Sequence, residues 1–174
     1  MKNSVKTLTG AGVIAALYVI ATYLTQGFAF GFVQIRLAEA LTVLPIFSFA
    51  AVPGVFVGCL LSNILAGGNI FDVIFGTLAT LMGAVGTYYA GKIIKNKPRL
   101  LWIGSVPPIL ANTLVIPLVL TYAYGLADAV VFGIPVTLPI AAVCVFVGEL
   151  ISCGIIGTLL AFIMYKLVNT KQMK

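Results

Sequence analysis

Histidine is absent from this 174-residue chain, and acids are scarce, four Asp and Glu against ten Lys and Arg. The three cysteines, Cys59, Cys144 and Cys153, form no Cys-x-x-Cys pair, so a transition-metal centre would lack its usual ligands. Neither a metal nor a cofactor is expected. The cysteines lie within apolar runs, where they read as packing residues, and their odd number argues against a disulfide framework. No P-loop is present, so the chain does not by itself use ATP in the usual way. Without His, acid–base work would fall to carboxylates, amides and hydroxyls, and the chain is not read as an enzyme.

What the sequence has in abundance is apolar length. It is 61% hydrophobic and 8% charged, the composition of an all-α integral membrane protein. The net charge of +6 would suggest nucleic acid in a soluble protein. Here the basic residues stand at the ends of apolar runs and read as cytoplasmic anchors beside anionic lipid, with no nucleic-acid partner. Lys2 and Lys6 followed by an apolar run also begin like a secretory signal, but no small-x-small cleavage site follows, so a retained first span is expected.

A span needs about 20 apolar residues, and the chain divides into segments at about 7–25, 35–51, 53–66, 70–94, 101–124 and 137–168, one transmembrane domain over 1–174. Pro53-Gly54 marks a tight turn between the second and third, Gly67-Gly68-Asn69 a break before the fourth. The second and third are short, and are expected to tilt or to span incompletely. Three basic clusters (Lys2 and Lys6; Lys92, Lys95, Lys97 and Arg99; Lys166, Lys171 and Lys174) belong on the cytoplasmic side. Six spans, with both termini cytoplasmic, satisfy all three. No internal repeat supports an inverted-repeat carrier.

Within that arrangement Arg36 and Glu39 open the second helix three residues apart, on neighbouring positions of one face, able to pair or to grip a polar guest together. Asn63, Asp72, Asn112 and Glu149 fall in the outer half or near the midplane of later spans. Ionisable groups are costly in lipid and mark function by default, so these six residues form a candidate binding site opening outward. Each has a plainer role. Arg36 could snorkel to the interface, Asp72 could complete a helix cap with Asn69, and Asn63 and Asn112 could bond across helices. Glu149, about eleven residues into its helix, is hardest to explain without a polar cavity or a partner. On the first helix Ala11 and Ala15, with Gly12 and Ala16 beside them, make a small-residue stripe that lets another helix approach closely, either an outside partner or this chain's own. Gly54-x-x-x-Gly58 and Ala79-x-x-x-Gly83 are expected to serve this chain's own packing.

The run Ile35-Arg36-Leu37-Ala38-Glu39-Ala40-Leu41-Thr42-Val43-Leu44-Pro45 resembles the QueT family. So do Pro53-Gly54, Gly58-Cys59-Leu60-Leu61-Ser62-Asn63, the stretch Phe71-Asp72-Val73 to Leu81, Pro108-x-x-x-Asn112 and Gly148-Glu149. The resemblance covers nearly the whole chain. It implies a six-helix substrate-binding (S) component of an energy-coupling factor (ECF) importer in the bacterial cell membrane. Its cargo would be a queuosine precursor, a 7-deazaguanine such as preQ1, preQ0 or queuine. It further implies docking of Ala11 and Ala15 on a transmembrane coupling subunit, with energy from two ATP-binding subunits and cargo released by toppling of the loaded bundle. Ala38 stands where serine would also be expected and is given no binding role.

A deazaguanine offers adjacent ring N–H and amine donors that a carboxylate accepts with both oxygens. Glu39, Asp72 and Glu149 outnumber Arg36, so a cationic cargo would balance the site and an anionic phosphate would be repelled. Phe28, Phe30, Phe32, Phe71, Tyr122 and Tyr124 could stack on a planar base or form an interfacial belt. Two alternatives remain open: an S component for another vitamin-type cargo, and a stand-alone proton-coupled carrier using Glu149 and Asp72.

Overall fold

In a membrane every backbone polar group needs an internal partner, and helices supply one without recourse to neighbours. The computed structural model of the protein, which describes residues 2–29, 35–94, 96–123, 130–131, 134–135 and 137–172, follows that rule. Among the described residues six helical rods carry the fold: α1 (Lys2–Leu24), α2 (Leu37–Ile46), α3 (Ala51–Leu65), α4 (Asp72–Ile94), α5 (Pro98–Tyr122) and α6 (Leu138–Asn169). One further turn, Gln26–Ala29, trails α1, and Val130–Val131 pairs antiparallel with Ile134–Pro135 before α6.

Four rods, α1, α4, α5 and α6, are long and apolar enough to cross a membrane. The other two are not. α2 has 10 residues wound as a 3-10 helix and α3 has 15. At rises of about 2.0 and 1.5 Å per residue they reach about 20 and 22 Å, against about 30 Å of hydrocarbon. Pro53-Gly54 is not the turn that the sequence suggested. Pro53 sits in the first turn of α3, where its missing N–H leaves no bond unmade, and the break falls at 47–50.

Small residues set the packing, because between apolar helices in lipid close contact and hydrogen bonds replace the hydrophobic drive. Gly54 and Gly58 of α3 meet α1 so closely that a Cβ on Gly58 would lie 2.6 Å from the Tyr18 Cβ and 3.1 Å from the Ala15 Cα. On α4, Gly83 and Gly86 face Pro108 and Pro107 of α5 in the same way, and Gly91 rests on the Ile46 backbone. Tyr18, Ala38, Val55, Cys59 and Ala84 form one buried cluster. Val43, Ile46, Ile94, Leu101 and Ala161 form another, at the end of the bundle where Lys92 lies. Large apolar side chains such as Leu8, Leu24, Leu65 and Leu114 stand exposed on the outer faces, as suits a lipid solvent.

Gly67 ends α3 with φ +70°, and the amides of Gly67 and Gly68 close back on the carbonyls of Ile64 and Asn63 at 3.1 and 3.0 Å. This left-handed cap suits glycine and fixes Asn63 in the last turn of α3, facing the start of α4.

Candidate functional site

The polar residues singled out by the sequence converge inside the bundle. Arg36, the extended residue just before α2, donates from Nη2 to Asn63 Oδ1 at 2.8 Å and lies 3.8 Å from Asp72 Oδ2. Asn63 donates in turn to the Asp72 backbone carbonyl at 3.3 Å and contacts Cys59 Sγ at 3.6 Å. Thr80 links Cys59 to the next carboxylate, its Oγ1 lying 3.3 Å from Cys59 Sγ and donating to Glu39 Oε1 at 3.1 Å. The Tyr18 hydroxyl donates to the same Glu39 oxygen. From Glu39 the path continues through its backbone carbonyl to Cys153 Sγ, 3.3 Å away, and from Cys153 to Glu149 Oε2 at 3.2 Å. Asn112 closes the series by donating to Glu149 Oε1 at 2.9 Å. Every rod contributes at least one side chain: Tyr18, Glu39, Asn63, Asp72 with Thr80, Asn112, and Glu149 with Cys153. All are buried, Glu39 completely.

Local structure explains how these groups reach one another. α4 opens with a π-helical turn over Asp72–Gly76, and α6 passes into a π-helical stretch over Leu150–Gly157 directly after Glu149. Such widened turns reorient side chains that a regular helix would stack in line. Gly76 leaves room for the pair beside it, since a Cβ there would lie 3.1 Å from Asp72 Oδ1 and 3.4 Å from Asn63 Nδ2. Asn69 does the capping, its Oδ1 accepting the Phe71 amide at 3.1 Å, while the Asp72 carboxylate lies toward Arg36.

Two expectations change in detail. Arg36 and Glu39 do not act from one helical face: Arg36 precedes the helix and reaches α3 and α4, whereas Glu39 turns to α1, α4 and α6. The cysteines are not all mere packing. Cys59 and Cys153 are buried members of the network, four residues before Asn63 and four after Glu149, a spacing that put them on the same helical faces. That spacing was the available signal for them. For Tyr18 and Thr80 the sequence offered none, because mid-span hydroxyls are common and only packing decides what they meet.

Glu39, Glu149 and Cys153 each bring an oxygen or sulfur to within 4.8 Å of the others, a spacing that could hold a cation. The aromatic residues stand elsewhere. Phe71 stacks on Phe75 with ring centroids 6.4 Å apart, and both border, with Tyr122, an apolar groove of about 420 Å³ that contains none of the six candidate residues. The side chain of Phe28, and Phe30, Phe32 and Tyr124, lie outside the described residues. On α1, Ala15 is 7% exposed and covered by Gly58 of this chain, and Ala11 is half-buried over Gly54. The small residues left open on α1 are Gly12 and Ala16.

Apolar rods long enough to span a membrane, closed around a buried network of charged and amide side chains, define a helical membrane protein with a polar interior. The chain matches the QueT transporter family model over residues 8–166 and belongs to that family. Membership points to a membrane transporter of a small molecule rather than to an enzyme. No curated protein and no solved structure matches the chain.

Proposed function

We propose that this chain is the substrate-capturing S component of an ECF-type importer. It takes a 7-deazaguanine queuosine precursor from outside a bacterial cell into the Arg36, Glu39, Asn63, Asp72, Asn112 and Glu149 network. A coupling subunit and two ATP-binding subunits then drive delivery inward. In this reading the whole chain is one transmembrane domain in the plasma membrane, with both termini cytoplasmic beside the basic clusters. The observation that carries it is the convergence of three of the chain's four acids, one arginine and two amides from separate rods in a member of a transporter family. Groups this costly in lipid are retained for a solute that satisfies them. A deazaguanine suits them, with its donor edge on a carboxylate and its carbonyl on Arg36 or an amide.

The coupling subunit is taken to dock on α1. Because α3 covers Ala15, the face that remains for a second protein is lined by Gly12 and Ala16, with Ala11 at its margin. Mass spectrometry of ligand that co-purifies with the protein, followed by uptake assays in proteoliposomes with and without the ATP-driven module, tests the reading. A bound deazaguanine and uptake that requires ATP support it. A different vitamin-type ligand overturns the cargo. Uptake by the chain alone, driven by a proton gradient, overturns the coupling and favours a carrier using Glu149 and Asp72.

A further inference from the structure

The network holds three carboxylates and one guanidinium, and its two ends differ in charge. Arg36 lies against Asn63 and Asp72, so that end is close to balanced. At the other end Glu39 and Glu149 meet, with one oxygen from each and the Cys153 sulfur all within 4.8 Å. Glu39 is 0% exposed and Glu149 is 3%. The two oxygens of Glu39 are used unequally. Oε1 accepts from both Tyr18 and Thr80, whereas Oε2 is buried and has no hydrogen-bond partner among the described residues. A buried acceptor left unmet is costly, more so when it bears charge. Two carboxylates at this distance add mutual repulsion.

We infer that the Glu39–Glu149 pair is a cation subsite that takes the ammonium group of a primary-amine cargo, while the Arg36, Asn63 and Asp72 end takes an uncharged polar edge of the same molecule. This rests on the cargo-binding reading above and adds to it an orientation and a preference. The geometry suits an ammonium. Such a group has three N–H donors and no acceptor, and charge-assisted N–H···O contacts run at about 2.7–2.9 Å. One nitrogen at that distance from two oxygens bridges a separation of up to about 5 Å, and the two carboxylates lie within 4.8 Å of each other. The Glu39 carboxylate, one of whose oxygens is buried without a partner among the described residues, is one acceptor and the Glu149 carboxylate the other. A metal ion suits the same cluster less well. The Cys153 thiol lies 3.3 Å from the Glu39 carbonyl and 3.2 Å from Glu149 Oε2 and can donate its one hydrogen to either, whereas a metal binds the thiolate.

The test titrates the full chain in detergent, by calorimetry, with two 7-deazaguanines that differ only at position 7, one aminomethyl and cationic, the other cyano and neutral. Both are expected to bind the wild type, the amine at least about tenfold more tightly, and Glu149→Gln should cut that ratio to about twofold or less. Equal affinities in the wild type, a comparison that needs no variant, overturn the inference and leave the cargo-binding reading standing. A ratio that survives in both Glu149→Gln and Glu39→Gln does the same. If neither compound binds the wild type, the cargo-binding reading fails and the inference fails with it. Binding of Zn²⁺ or Mn²⁺ that displaces the amine and is lost in Glu149→Gln overturns the inference in favour of a metal site.

Discussion

Glu39→Gln separates the structural use of this side chain from its use toward a ligand. Glu39 Oε1 accepts from Tyr18 and Thr80, and a glutamine oxygen can accept from both in the same place. The new amide nitrogen then occupies the position of Oε2, the buried oxygen without a partner among the described residues. The empty protein therefore loses no bond and exchanges one of two facing carboxyl groups for a neutral amide. Its melting temperature should stay within about 3 °C of the wild type or rise, since about 1 kcal/mol moves the midpoint of a domain this size by about 2–4 °C. A cargo that needs an acceptor at Oε2 meets a donor instead. Leaving that buried group unmatched costs about 1–3 kcal/mol, a loss in affinity of roughly 5-fold to 150-fold, toward the upper end for a cationic amine. Calorimetric titration with the aminomethyl deazaguanine, alongside thermal unfolding in the same detergent, measures both quantities. An affinity within twofold of the wild type would remove Glu39 from the ligand's contacts. A collapse in melting temperature would show that its carboxylate holds the bundle together.

Arg36→Met should be severely destabilising, by about 3–5 kcal/mol, because it strands the buried Asp72 carboxylate; adding Asp72→Leu should restore thermal stability without restoring ligand binding, which a double-mutant cycle would measure. Gly58→Ala should cost about 1–3 kcal/mol in unfolding assays, since its methyl would fall 2.6 Å from the Tyr18 Cβ and force α1 from α3. Gly12→Leu or Ala16→Leu, on the open face of α1, should leave ligand binding by the isolated chain intact and abolish ATP-driven uptake and assembly with the coupling subunit. Ala15→Leu should instead lower the melting temperature of the isolated chain, because Gly58 covers that position. Unchanged uptake in the Gly12 and Ala16 variants would move the docking surface elsewhere.

Much of this protein could be read from residue order alone. Its helical membrane character follows from apolar runs interrupted by Pro, Gly and basic clusters, because hydropathy accumulates residue by residue and needs no knowledge of neighbours. The candidate residues were legible for the same reason: Glu39, Asp72 and Glu149 stand out where a carboxylate is costly whatever it faces. Their partners were not. Arg36 and Glu39 look like one face of a helix at a spacing of three, yet Arg36 lies in extended backbone ahead of a 3-10 helix and the two side chains leave in different directions. The Ala11 and Ala15 stripe reads equally well as an inner or an outer surface, and the inner one is taken at Ala15 because Gly58 permits the approach of α3.

Sequence by itself determined the solvent this chain lives in, the rods it forms, and the scarcity that makes a few buried polar groups meaningful. Tertiary structure alone decided that those groups form one connected network, and that one Glu39 oxygen is left without a donor among the described residues. It also decided that Tyr18, Thr80, Cys59 and Cys153 join the network. Burial cost belongs to a residue, and can be read one position at a time. Hydrogen bonds belong to pairs that lie as many as 114 positions apart, as Glu39 and Cys153 do, and only the packing of helices against one another brings such pairs within reach.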